Sequence, residues 1–274
     1  MRRHSICPPF LLCGLLILNA ACAPAVPRET ALRQASERGF LPRLCDAPPF
    51  RLFTLHRQGK GDTLTVYIEG DGHAWRNRTT PSADPTPRNP VGLFLAVNDP
   101  SPNHVLYLAR PGQYVRDNQT ARDHVWWTSA RMSHEVITAL NSAIDEMKAL
   151  DGARKVALIG FSGGGGCAVL LAARRSDVAF LGTIAGNINM SAWTELHGVS
   201  PLSRSLDPIA AASLVSGIPQ RHLSGESDAN LPPRLSEDFC KAAGHPEACV
   251  TVKGMHHNGP WHTVWDYSQA SVSE

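Results

Sequence analysis

Apolar positions in this chain fall into short runs of four to eight residues, and longer stretches with helical periodicity separate them. Phe50 to Arg57 and Thr63 to Ile68 read as strands, as do His104 to Ala109, Lys155 to Ile159, Asp177 to Ile188 and Cys249 to Lys253, with a shorter strand leading into Gly225. Between them, about Asn89 to Val97, Arg131 to Leu150 and the AVLLAARR segment from Ala168 carry the spacing of helices. A last helix is expected to open at Trp261, with Trp261 and Trp265 at i and i+4 packing it onto the sheet. This alternation predicts an α/β fold, a mostly parallel sheet with helices on both faces and right-handed crossovers. In such a sheet ligands gather outside the carboxyl ends of the strands.

The most informative stretch is Lys155 to Gly166, KVALIGFSGGGG. Val156 to Ile159 is continuously apolar, as suits a central strand buried on both faces. It breaks into Gly160-Phe161-Ser162-Gly163-Gly164 and resumes as a helix, the strand, GxSxG, helix order that holds a serine hydroxyl out on a sharp turn. Small residues are needed there because a Cβ would strike the neighbouring strand and helix. Ser162 is the candidate nucleophile. The glycine run could instead cradle a phosphate, but no P-loop lysine or GxGxxG after an early strand accompanies it.

A serine nucleophile needs a base and an orienting acid further along the chain, and both follow in order. The short strand ending at Gly225 leads to Asp228, with Glu226 two residues nearer the strand end as the alternative acid. The strand from Cys249 delivers Gly254-Met255-His256-His257. The Gly-x-x-His spacing favours His257 as the base, with His256 as the fallback. The early strand ends in Glu69-Gly70-Asp71-Gly72, where the Asp71 amide is placed to act with that of Gly163 as an oxyanion hole. His256, His257, His262 and Asp266 also invite a metal reading, but no HExxH or paired CxxC supports it, and neither a metal nor a cofactor is expected.

With these motifs assembled, the chain resembles the α/β-hydrolase superfamily, specifically its small exported bacterial members. The residues that carry the resemblance are Ile68 to Gly72, Pro85 to Pro90, Ala109 to Gln113, Val125 to Thr128 and the GxSxG, so it covers nearly all of the chain after residue 50. It implies triad roles for Ser162, Asp228 and His257 and oxyanion roles for the amides of Asp71 and Gly163. The implied activity is cleavage of an ester or related acyl bond in a small-molecule substrate through an acyl-serine. The reading from another class is a non-catalytic envelope lipoprotein that keeps the fold as a binding module. Residues 72–103 and 188–217 are the two stretches long enough to shape a pocket, the second at the usual position of a lid. Trp126 and Trp127 are expected in the core, with a pocket wall as the alternative.

Composition narrows the partners and the compartment. The formal charge is +2 and no basic stripe is interleaved with aromatics, so nucleic acid is not an expected partner. Met1 to His4 is a positive segment, Phe10 to Leu18 an apolar one, and Asn19-Ala20-Ala21-Cys22 a cleavage region. Ala20-Ala21-Cys22 resembles a bacterial lipobox, although Asn19 stands where leucine is preferred. The expectation is a signal peptide over 1–21, lipidation at Cys22, a tether over 22–45 and a hydrolase domain over 46–274, anchored in the cell envelope. No other run of about twenty apolar residues follows. Cys240 and Cys249 bracket a Gly-His-Pro turn and are the natural disulfide pair, Cys167 reads as a small buried residue, and Cys45 has no evident partner.

Overall fold

A computed structural model describes residues 28–115 and 123–270. Eight strands form one sheet: β1 (Leu41–Ala47), β2 (Phe50–Arg57), β3 (Thr63–Ile68), β4 (His104–Leu108), β5 (Lys155–Phe161), β6 (Val178–Ile184), β7 (Gln220–Gly225) and β8 (Cys249–Val252). Their spatial order is β1-β2-β4-β3-β5-β6-β7-β8. The first two strands pair antiparallel to each other, β2 is antiparallel to β4, and every other pair is parallel. Among the described residues the α-helices are α1 (Arg28–Glu37), α2 (Val91–Val97), α3 (His134–Asp151), α4 (Gly163–Ala172), α5 (Met190–His197) and α6 (Pro233–Ala243).

Strand alternation sorts the core into two layers. Leu64, Val66 and Ile68 of β3, Leu106 and Leu108 of β4, and Val156 and Leu158 of β5 face α3 and α4. Tyr67, Val105, Tyr107, Ala157 and Ile159 point the other way, among residues of α1 and α2 and the two buried tryptophans near the end of the chain. Every residue of β3 is buried, as expected of a strand covered on both faces. Trp127 is buried and donates its indole N–H to the Ser82 carbonyl at 3.1 Å, while Trp126 stands edge-on to Phe50. Trp127 belongs to the core, and Trp126 packs half-buried against it.

Two elements depart from the sequence expectation. The folded unit begins before residue 46: Ala31 and Ala35 of α1 are fully buried, and β1 pairs with β2 along its whole length, Leu41 to His56 through Ala47 to Phe50. The tether expected over 22–45 is therefore folded from Arg28 onward. Its composition misled because β1 is an edge strand with only Cys45 and Ala47 buried, which leaves no apolar run to read. A second difference is at the other end, where Trp261–Thr263 and Tyr267–Ala270 are short 3₁₀ turns rather than one helix. Trp261 and Trp265 are nonetheless buried. Residues 188–217, at the usual position of a lid, contain α5 and a 3₁₀ segment, Pro208–Val215.

Cys240 and Cys249 are joined by a disulfide, Cα atoms 6.2 Å apart, which ties α6 to β8. Cys45 and Cys167 are buried thiols, each pushed up to about 11 by burial, so neither has the thiolate character of a nucleophile. Among the described residues no helix is long and apolar enough to cross a membrane. Cys22 and the expected signal segment lie outside the described residues.

Candidate active site

Strand β5 ends at Phe161, and Ser162 makes the turn into α4 with φ 51° and ψ −121°, a left-handed φ that a non-glycine residue adopts at a cost. The surrounding structure imposes it. The Ser162 amide donates to the Ile184 carbonyl at 3.0 Å, and the Ser162 carbonyl accepts from the amides of Gly165 and Asn187. The flanking glycines allow the close approach: a Cβ on Gly160 would strike the Gly164 carbonyl at the start of α4, and one on Gly164 would strike the carbonyls of Ile68 and Glu69 at the end of β3. These are the contacts the GxSxG spacing anticipates.

His257, in the loop after β8, faces Ser162. Its Nε2 lies 3.1 Å from Ser162 Oγ and its Nδ1 lies 2.7 Å from Asp228 Oδ2. The carboxylate of Asp228, in the turn after β7, is fully shielded, and Oδ1 accepts the amides of Asn230 and Leu231 at 2.9 Å each. An ionised carboxylate only accepts, so its contact with Nδ1 places the histidine's hydrogen there and leaves Nε2 free to accept from the serine hydroxyl. The Trp261 indole N–H donates to the His257 carbonyl at 2.8 Å, so the second half of the loop fixes the first.

The neighbouring candidates are placed elsewhere. His256 is exposed and its Nδ1 lies 3.1 Å from the Ser227 carbonyl. Glu226 is also exposed and accepts the Gly254 amide at 2.9 Å, a bond that joins the loops after β7 and β8. His262 stands edge-on to Phe94, 4.4 Å between centroids, and Asp266 accepts from Ser268 and Gln269. These residues therefore do not converge with His257 into a metal site.

The turn after β3 approaches Ser162 from the other side, where a Cβ on Gly70 would come within 3.2 Å of Ser162 Cβ. Among the hydrogen bonds of the described residues, none uses the amide of Asp71 or of Gly163 as donor, so both remain available to an incoming oxyanion. Residues that the sequence did not single out hold this turn. Glu69 accepts the Gly70 amide at 2.8 Å, the amides of Gly92 and Leu93 at 3.2 Å each, and the Tyr107 hydroxyl at 3.1 Å. Burial pushes the Glu69 carboxyl above the usual range, against the pull of those four donors. Gln113 donates to the Gly70 carbonyl at 2.9 Å.

Asp71 itself is clamped by two buried arginines, Arg110 Nη1 at 3.3 Å and Arg131 Nη1 at 3.0 Å, and Arg110 also donates to the Arg131 carbonyl. Arg110 and Gln113 lie in the Ala109 to Gln113 segment, which drew notice by resemblance but carried no role. Nothing local signals that this segment meets Asp71, about forty residues earlier.

A cleft of about 440 Å³ opens over this arrangement, lined by Ser162, His257, Asp71, Trp75, Arg131 and Trp193 among others. Trp75 comes from residues 72–103 and Trp193 from α5, the two stretches expected to shape a pocket. The Trp193 ring covers the Arg131 guanidinium, 4.9 Å from its carbon to the ring centroid.

No protein-family model matches the chain, and no curated protein matches it in sequence. Solved structures do match. An α/β serine hydrolase homologue from Coxiella burnetii superposes with a TM-score of 0.54 at 15% identity, covering 79% of this chain and 88% of that one. Est1E from Butyrivibrio proteoclasticus gives 0.56 at 14%, covering 80% and 91%. A puromycin-hydrolysing peptidase from Mycobacterium tuberculosis gives 0.60 at 17%, covering 82% of this chain but 37% of the larger protein. The chain has the α/β-hydrolase fold. Within that hydrolase frame β3, β5, β7 and β8 deliver Asp71, Ser162, Asp228 and His257 to one end of the sheet, the carboxyl ends of parallel strands.

Proposed function

We propose that the protein is a serine hydrolase that cleaves ester or related acyl bonds through a covalent acyl-serine. The observation that carries this reading is the directed chain Asp228–His257–Ser162, with spacings of 2.7 and 3.1 Å. In the proposed cycle His257 Nε2 takes the Ser162 proton as Oγ attacks the carbonyl carbon, and the imidazolium formed is stabilised by the shielded Asp228 carboxylate. The tetrahedral oxyanion is received by the amides of Asp71 and Gly163. His257 then returns its proton to the leaving oxygen or nitrogen. Water, deprotonated by His257, then attacks the acyl-enzyme; the acyl–Oγ bond breaks, the carboxylic acid product leaves, and His257 returns its proton to Ser162 Oγ.

Two fold neighbours add support for acyl substrates: one hydrolyses puromycin, and Est1E has been solved with ferulic acid bound. The open cleft and its two tryptophans suit a small ester with an apolar or aromatic group. Purified protein is expected to turn over short p-nitrophenyl esters, and turnover should survive His256→Ala but not His257→Ala. Absence of turnover across a panel of esters, thioesters and amides contradicts the proposal.

We further propose that the protein is exported and anchored in the cell envelope by lipid at Cys22. The support is the positive, apolar and small-residue order of its first 22 residues. Mass spectrometry of the N-terminal peptide should find acyl chains on Cys22, and Cys22→Ser should move the protein to the soluble fraction. An unmodified N-terminal peptide, with equal fractionation of the two forms, contradicts the anchor.

A further inference from the structure

At the opposite end of the sheet from Ser162, three side chains from distant parts of the chain converge. His56 lies near the end of β2, His104 opens β4, and Asp151 closes α3. Asp151 Oδ2 is 2.9 Å from His56 Nε2 and Oδ1 is 3.0 Å from His104 Nδ1, and the carboxylate is wholly shielded from solvent. The three donor atoms all lie within 4.8 Å of one another.

The hydrogens do not complete this cluster. His104 Nδ1 accepts a hydrogen bond from the Gly59 amide at 3.2 Å, so that nitrogen presents a lone pair and the ring hydrogen is on Nε2. Its 3.0 Å contact with Asp151 Oδ1 is then not a hydrogen bond, and Oδ1 is left buried with no hydrogen-bond donor. An unpartnered oxygen of a shielded carboxylate calls for positive charge at that point.

We propose that His56, His104 and Asp151 bind a divalent cation of the zinc class. Two imidazoles and a carboxylate are a borderline donor set, suited to zinc and its late first-row neighbours and poorly suited to magnesium or calcium, which prefer oxygen alone. A ligating histidine must be neutral with a lone pair on the bound nitrogen, the form the Gly59 contact already selects at His104 Nδ1. The cation takes the place of that amide hydrogen. Zinc bonds of about 2.0–2.1 Å in a tetrahedron set ligand atoms about 3.3–3.4 Å apart, so one atom from each residue, all now within 4.8 Å of one another, settles to that spacing around the ion. The His56 side chain is 12% exposed, which leaves a side open for water as a fourth ligand. The ion pins β2 and β4 to the carboxyl end of α3 and takes no part in the chemistry at Ser162.

The test uses untagged protein, stripped with a chelator and dialysed, then titrated with zinc by calorimetry and with cobalt by visible absorption. One equivalent should bind, cobalt should show the bands of a four-coordinate site, and zinc should raise the unfolding midpoint in a concentration-dependent way. Asp151→Asn and His56→Gln should each lose that equivalent while keeping the wild-type circular dichroism. If Asp151→Asn fails to fold, His56→Gln, whose ring is at the edge of the cluster, carries the comparison. Wild-type protein that takes up no zinc, or variants that bind it as tightly as wild type, would overturn the proposal and assign the cluster to a proton.

Discussion

The two ends of this sheet each hold a histidine against a shielded aspartate, and the two pairs differ in how completely their hydrogen bonds close. At the carboxyl end Asp228 has both oxygens occupied, Oδ1 by two amides and Oδ2 by His257, so one hydrogen direction runs from the Ser162 hydroxyl through the ring to the carboxylate. At the amino end Asp151 has one oxygen beside a nitrogen that is already accepting from Gly59. A closed chain with a direction is poised to move a proton. An open one is arranged to receive something, and the same two residue types serve both ends because the surrounding amides decide which atom carries hydrogen.

The carboxyl-end arrangement breaks most sharply at its nucleophile. Ser162→Ala and His257→Ala are each expected to lower kcat on the order of 10⁶-fold, with the double variant little worse, because the residues act as a unit. Asp228→Asn should cost less, about 10⁴-fold. In that variant the remaining oxygen satisfies the amides of Asn230 and Leu231, so the new amide group faces His257 and selects the wrong tautomer. Steady-state kinetics on a short ester reads all three, and a double variant as damaging as the product of its singles would refute the coupled chain.

The next effect tests the donors rather than the triad. A methyl group at Gly163 would strike the Asp71 carboxylate and displace either the turn after β3 or the start of α4. Gly163→Ala should lower kcat by about 10²-fold, the scale of one lost oxyanion donor, with the fold intact by circular dichroism. Unchanged kcat would separate Asp71 and Gly163 from the reaction.

A histidine with all its bonds closed and no proton to move makes the smallest and most instructive contrast. His222 on β7 accepts from the Thr183 hydroxyl at Nδ1 and donates from Nε2 to Gln220, whose own amide hydrogens go to the carbonyls of Val215 and Ile218. Burial depresses its pKa from 6.5 to about 3. Below pH 6.5 the unfolded chain takes up a proton that folded His222 refuses. Its contribution to stability is therefore complete above pH 6.5 and is lost progressively as pH falls toward 3. Urea midpoints measured between pH 7 and 4 should fall less steeply in His222→Gln than in wild type. Equal slopes would show that the ring titrates freely in the fold.

What was legible in the sequence follows from how local each cause is. The elbow at Ser162 is written within a dozen residues, since strand, turn and helix must each be small or apolar at set places. Asp228 and His257 could be found by order along the chain, because each follows a short strand. The choice of His257 over His256 became physical only when His256 turned to the Ser227 carbonyl. Helix α1 and strand β1 escaped because an edge strand buries too little to leave a pattern. The arginine clamp on Asp71 and the His56–His104–Asp151 cluster escaped for a different reason, that their members are about forty to ninety residues apart and no spacing rule joins them.

The central claim is that Ser162 is an activated nucleophile, and labelling with a fluorophosphonate followed by peptide mass mapping tests it most directly. One phosphonate per chain, located on Ser162, lost in Ser162→Ala and strongly slowed in His257→Ala, is the expected result. Unlabelled wild-type protein, or a label that His257→Ala leaves at the wild-type rate, would contradict the account and favour a hydrolase fold kept for binding alone.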